Sequence, residues 1–129
     1  MMINRAVVGV GSNINPLENI QSARHLIAEQ FSLIAESAFR VTKPIGVVNQ
    51  PDFINGAYLI ETCHDIASVK QTLKKIEHLV GRKKEVEKSA PREIDLDIVI
   101  WNNSVVDDDF YSRDFLRNAT LELVPDLSY

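Results

Sequence analysis

Apolar residues recur along the chain in two rhythms, and the points where one gives way to the other mark out the elements. Ala6-Val7-Val8-Gly9-Val10-Gly11 is a β-branched run closed by glycine and predicts a buried strand leaving at Gly11-Ser12-Asn13. Asn15-Pro16 then opens a helix over 16–30, with Asn15 placed to cap it and Pro16 suited to the first turn. Leu17, Ile20, Ala23, Ile27 and Phe31 follow at helical spacing. Residues 32–41 alternate weakly and predict a second strand, after which Thr42-Lys43-Pro44-Ile45-Gly46 through Gln50-Pro51-Asp52 reads as an irregular loop. Phe53 to Thr62 predicts a further strand, with Ile54, Tyr58 and Ile60 on one face and Phe53, Asn55, Ala57, Leu59 and Glu61 on the other. Asp65 caps a second amphipathic helix carried by Ile66, Val69, Leu73, Ile76 and Val80, and Gly81 ends it.

Residues 82–92 have no apolar period and read as a locally basic loop. The alternation returns in Glu93-Ile94-Asp95-Leu96-Asp97-Ile98-Val99-Ile100-Trp101, where Ile94, Leu96, Ile98 and Ile100 share one face of a strand and Asp95 and Asp97 the other. Asn102-Asn103 ends it as a turn, and Leu116 to Val124 reads as a short helix or an edge strand. The order β-α-β-β-α-β is the split βαβ arrangement of ferredoxin-like α+β folds. It predicts an antiparallel sheet with both helices packed on one face and the other face left for a ligand.

Length and charge narrow the picture. The 129 residues suit a single domain over 1–129, and 45% hydrophobic with 25% charged residues is ordinary for a globular chain. No apolar run reaches the span of a membrane helix, and the first residues do not read as a signal peptide, so a cytoplasmic protein is expected. Cys63 is the only cysteine and reads as a small core residue rather than a nucleophile. A net charge of −4 gives no global field for nucleic acid, so an anionic ligand must be met by a local basic cluster.

Asp95 and Asp97 are the strongest chemical feature. An i, i+2 pair on a strand sets two Cα atoms ~7 Å apart with both carboxylates aimed the same way. Such a pair is either a solvated strand face or a site for a hard divalent cation shared with substrate phosphates. Arg82, Lys83, Lys84 and Arg92 stand just upstream, where they either form a solvated loop or meet a polyphosphate. Gly9-Val10-Gly11 lacks the third glycine of a dinucleotide fingerprint, Ile14 standing in its place, and there is no phosphate loop of the Gly-Lys-Ser/Thr kind. His25, His64 and His78 have no metal-ligand spacing and read as surface residues. Phe53 and Asn55 share a strand face and suit a flat heterocycle, or else belong to the core and to a turn.

Gly11-Ser12-Asn13, Gln50-Pro51-Asp52-Phe53-Ile54-Asn55, Ile76-Glu77 leading to Gly81-Arg82, and Pro91-Arg92-Glu93-Ile94-Asp95-Leu96-Asp97 together resemble the 6-hydroxymethyl-7,8-dihydropterin pyrophosphokinases of folate biosynthesis, in order and in spacing. The resemblance covers about residues 4–101 and continues more loosely through Arg113-Asp114-Phe115 and Leu121-Glu122-Leu123-Val124-Pro125. It implies a ferredoxin-like fold, ATP and two Mg2+ ions, and transfer of the β,γ-pyrophosphate of ATP to the pterin hydroxymethyl group with release of AMP. On that resemblance Asp95 and Asp97 ligate Mg2+, Arg82 and Arg92 hold the ATP phosphates and act in catalysis, and Lys84 is a further basic residue of the same loop. Asn55, Phe53, Phe115, Thr42, Pro44 and Ile45 form the pterin site, and Glu77 and Arg113 belong to the ATP site. The partners implied are small molecules only, with neither nucleic acid nor membrane, and the chain is expected to be a monomer.

The chain departs from the family pattern at three places. Ser89-Ala90 stands where the family has Trp-Gly, the Val-Pro-His segment has no counterpart, and Asp107-Asp108-Asp109 occupies a shortened stretch there. An active pyrophosphokinase and a paralogue that binds pterin or nucleotide without this activity, or acts on another substrate, are therefore both expected readings. A nucleic-acid binder on the same topology is opposed by the acidic balance and by the lack of an aromatic-rich RNA-recognition motif.

Overall fold

Strand β1 (Asn4–Ser12) runs through the centre of the sheet, as its apolar residues on both faces require. The computed structural model describes residues 2–46, 49–81 and 93–129. After β1 come α1 (Pro16–Gln30), β2 (Ser32–Glu36), β3 (Arg40–Thr42), β4 (Phe53–Thr62) and α2 (Ile66–Val80), then β5 (Asp95–Trp101), β6 (Ser104–Val105), α3 (Asp109–Ser112) and α4 (Asp114–Leu123). Among the described residues the strands form one antiparallel sheet in the order β2-β4-β1-β5-β6, with β3 also paired to β4. Strand β4 lies between β1 and β2, and β1 lies between β4 and β5. Two split βαβ units thus interleave, which is the ferredoxin-like arrangement expected.

The two long helices share one face. Ala6, Val8 and Val10 of β1, Tyr58 and Ile60 of β4, and Leu96 and Ile98 of β5 meet Ala23 and Ile27 of α1 and Val69, Leu73 and Ile76 of α2 there. Alternate residues point the other way. Val7, Ala57, Leu59, Val99 and Ile100 are covered by Phe110 of α3 and Ala119 of α4, so the C-terminal helices roof part of the second face and leave the rest open. No helix among the described residues is long and apolar enough to cross a membrane.

Helix α2 forms as its sequence predicts. Asp65 accepts the Ser68 N–H at 2.8 Å, and Gly81 adopts a left-handed φ of 120° while its own N–H caps Glu77 and His78. Asn102 and Asn103 both take positive φ and make a two-residue hairpin turn into β6.

Four local expectations are corrected. Asn15 makes no capping bond but turns left-handed at φ 41°, and Asn19 Nδ2 donates to the Ile14 carbonyl at 2.6 Å. The strand expected over 32–41 is two strands, because Ser37 exchanges bonds with the Ala57 backbone and the Phe39 ring lies over Gly56, where a Cβ would come within 2.6 Å of it. Ile100 does not share a face with Ile94, Leu96 and Ile98: Val8 pairs with Ile98 and Val7 with Ile100, so Val99 is a bulge that turns both Val99 and Ile100 onto the C-terminal helices. Cys63, expected in the core, is exposed just past the last residue of β4. The three histidines are exposed, as expected.

Candidate active site

A cleft of about 620 Å3 opens on the part of the sheet that α4 leaves uncovered, a size ordinary for a small-molecule site. Its floor exists because Gly9 and Gly11 face the same way as Val7 and carry no side chains. Both line the cleft. Gly11 is opposite Asn55 on one side and Asp95 on the other, and Gly9 is opposite Ala57 and Asp97. Asn55, Gly11 and Asp95 therefore form one row across three strands, which sets Asn55 and Asp95 roughly 10 Å apart at their Cα atoms.

On the β4 side, Phe53 and Asn55 line the cleft together with Thr42, Lys43, Ile45 and Gly46 of the strand and loop beside them. The Asn55 amide donates to Thr42 Oγ1, while its Oδ1 sits over Gly11, in the space that a Cβ there would fill. Asn13, buried, donates to Gln50 Oε1 at 2.8 Å and to the Pro51 carbonyl at 3.0 Å and so holds the chain leading into Phe53. Phe115 and Leu116, in the first turn of α4, supply the facing apolar wall.

On the β5 side, Asp95 and Asp97 face the cleft with Asp107, Asp109, Lys74 and Arg113. Asp97 reaches solvent in the cleft, yet the concave wall strips much of its hydration. Its carboxyl is pushed up to about 7, first by that burial, then by Asp95, Glu77 and Asp107, with Lys74 opposing them. Among the described residues no group of three Asp, Glu, His or Cys side chains is disposed to hold a metal, so the protein offers a carboxylate pair rather than a closed cage. Glu77 is buried, and its Oε2 accepts the Leu96 N–H at 2.8 Å. Arg113 lies 3.7 Å from Asp109.

Of the residues singled out in the sequence, Thr42, Ile45, Phe53, Asn55, Asp95, Asp97, Arg113 and Phe115 are brought together in this one cleft. Pro44 and Glu77 are not among the residues lining it. Arg82, Lys84 and Arg92 lie outside the described residues. Asp107 and Asp109, noted in the sequence as an acidic run where the family has another segment, also line the cleft, whereas sequence reasoning passed over Gly9 and Gly11 as its floor and Lys74 as a wall. The glycine signal was present, but only the pairing of β1 with both neighbours gives it meaning.

The pattern of the 7,8-dihydro-6-hydroxymethylpterin-pyrophosphokinase family matches residues 7–125. The chain belongs to that family. It is 29% identical to the 2-amino-4-hydroxy-6-hydroxymethyldihydropteridine pyrophosphokinase of Haemophilus influenzae over 133 residues, covering 95% of this chain and 82% of the relative. The enzyme of the same description from Pseudomonas aeruginosa is 30% identical over 137 residues, covering 98% and 84%. That of Synechocystis is 36% identical over 101 residues, covering 76% and 51%. The reaction of this pyrophosphokinase family is transfer of pyrophosphate from ATP to hydroxymethyldihydropterin in folate synthesis.

Proposed function

We propose that the pyrophosphokinase seats the pterin against Phe53, Asn55, Thr42, Ile45 and Phe115, with Pro44 shaping the loop, and takes Mg2+ and the ATP phosphates on the β5 side. The observation that carries this reading is the row Asn55–Gly11–Asp95, which sets an amide able to donate and accept beside a carboxylate pair with only a glycine between them. A pterin is flat and edged with donors and acceptors, matching one amide and two aromatic rings.

The donor set fits Mg2+. Asp95 and Asp97 are hard oxygen ligands held side by side, and the Asp97 carboxyl, raised first by burial and then by the charges of Asp95, Glu77 and Asp107, is one whose ionised form a divalent cation would favour. When bound, Mg2+ neutralises phosphate charge that builds during transfer. Two such ions suit a triphosphate that spans the cleft. Arg82, Arg92 and Lys84 hold the β- and γ-phosphates, and Arg113 reaches the nucleotide from its place beside Asp109 in the cleft. Glu77 serves the ATP side through the strand, by fixing the backbone between the two aspartates.

In the reaction the pterin hydroxyl oxygen attacks the β-phosphorus of ATP, the bond from that phosphorus to the α-phosphate oxygen breaks, AMP leaves, and the hydroxyl proton passes to solvent. The chain's own contribution is alignment and charge neutralisation, which a phosphoryl-type transfer needs more than covalent help. The whole of 1–129 acts as one domain, a monomer in the cytoplasm.

A second reading is favoured by Asp107 and Asp109, which add negative charge to the wall where phosphates would lie. It makes the chain a binder of pterin or nucleotide without transfer, or an enzyme for another substrate. One experiment separates the two. The protein is incubated with ATP, MgCl2 and 6-hydroxymethyl-7,8-dihydropterin, and AMP and the pterin diphosphate are followed by chromatography. Both products in equal amount, with Asp97→Ala reduced ~100-fold or more, support the transferase. Ligand uptake without AMP supports the second reading, and full activity in Asp97→Ala refutes the metal role.

A further inference from the structure

Helix α4 and strand β3 are far apart in sequence, yet one side chain spans them. Glu122 accepts the Ala38 N–H through Oε1 at 3.0 Å and the Arg40 guanidinium through Oε2 at 3.0 Å. A backbone N–H and a guanidinium on one carboxylate fix it in two directions, and both hold its pKa below the ordinary glutamate value.

What lies at the two ends of this contact is the pterin side of the cleft. Phe115 precedes Glu122 by seven residues, two helical turns, so the two side chains stand on the same side of α4 about 10 Å apart along its axis. Arg40 is paired directly with Asn55, and Thr42 with Phe53. The Asn55 amide bonds Thr42 in turn. Moving α4 relative to β3 would therefore move Phe115 relative to Phe53, Asn55 and Thr42 together. The apolar face of α4, Leu116, Ala119 and Leu123, packs on the sheet core through contacts that are not directional. The Glu122 contact is directional.

We propose that Glu122 is a positioning residue that sets the spacing between the two walls of the pterin pocket by strapping α4 to β3. The inference rests on the pterin seat proposed above. Glu122→Ala and, from the opposite side, Arg40→Met are compared with wild type by calorimetric titration of the pterin in the presence of MgCl2 and a non-hydrolysable ATP analogue, by titration of that analogue alone, and by melting temperature. Glu122→Ala is expected to raise the pterin dissociation constant roughly tenfold and Arg40→Met, which leaves the Ala38 bond in place, by less, and both are expected to leave that of the nucleotide unchanged. The double variant is expected to be no worse than Glu122→Ala, since the pair acts as a unit. Glu122→Gln, which still accepts the Ala38 N–H, falls between. Pterin affinity equal to wild type in folded Glu122→Ala overturns the proposal, as does a parallel loss of both ligands that tracks a lower melting temperature. A wild-type protein that takes up nucleotide but no pterin overturns the pterin seat itself, and the strap with it.

Discussion

Glu77 Oε2 accepts the amide of Leu96, the residue between Asp95 and Asp97, at 2.8 Å. Strand β5 is paired with β1 on one side here, and this carboxylate occupies its other side. Removing the acceptor by Glu77→Ala leaves a buried N–H unmet and is expected to cost about 1–3 kcal/mol in urea denaturation. It is also expected to raise the MgCl2 concentration needed for half-maximal turnover, with Glu77→Gln restoring most of both. Unchanged metal dependence in Glu77→Ala would separate the strand anchor from the site.

Asp97 makes the ligand-free protein sensitive to pH. Its folded carboxyl titrates near 7, above the ordinary carboxylate value, so the folded state binds the proton more tightly than the unfolded chain. The stability this group contributes is present at low pH and is lost as pH rises through 7. Asp97→Asn is expected to flatten that part of the melting-temperature profile. MgCl2 is expected to stabilise wild type more at about pH 8 than at about pH 5.5, where it must displace a proton.

Gly11→Ala introduces a Cβ into space held by Asn55 Oδ1. Asn55 must swing away, breaking its bond to Thr42, and pterin affinity is expected to fall roughly tenfold or more while nucleotide affinity holds. Calorimetry of the two ligands checks the split.

Tyr58 is fully buried, and among the described residues its hydroxyl has no hydrogen-bond partner. Burial, and then Glu36, raise its pKa well above the ordinary phenol value. Tyr58→Phe keeps the ring packed near Phe39, removes the unmet group, and is expected to stabilise the fold by about 1 kcal/mol in urea. A lower denaturation midpoint in Tyr58→Phe would mean that the hydroxyl has a partner after all.

The elements that the sequence predicted well are those whose signals are local. Helix α2 carries both its caps, Asp65 and Gly81, within its own flanks, and β4 begins and ends where its alternation does. Phe53 and Asn55, and likewise Asp95 and Asp97, are linked by strand period alone. What was illegible depends on partners distant in sequence. The break at Ser37–Phe39 is made by Gly56, the bulge at Val99 by the register with Val7 and Val8, and the fit of α4 by Leu116 lying over Gly9, where a Cβ would come within 3.0 Å. Glu122 reads as one more surface charge until Ala38 and Arg40 are brought to it.

The placement of β1 has a consequence for synthesis. It is made before both of its neighbours, and one of them, β5, carries the carboxylate pair and begins at Asp95. With ribosomes adding ~5–20 residues per second, Ser12 waits roughly 4–17 s for Asp95 to be made. During that interval one edge of the nascent β1 is unpaired and no cleft exists. The emerging chain therefore cannot take up metal or nucleotide before its sheet closes, and ligand can guide only the last stage of folding.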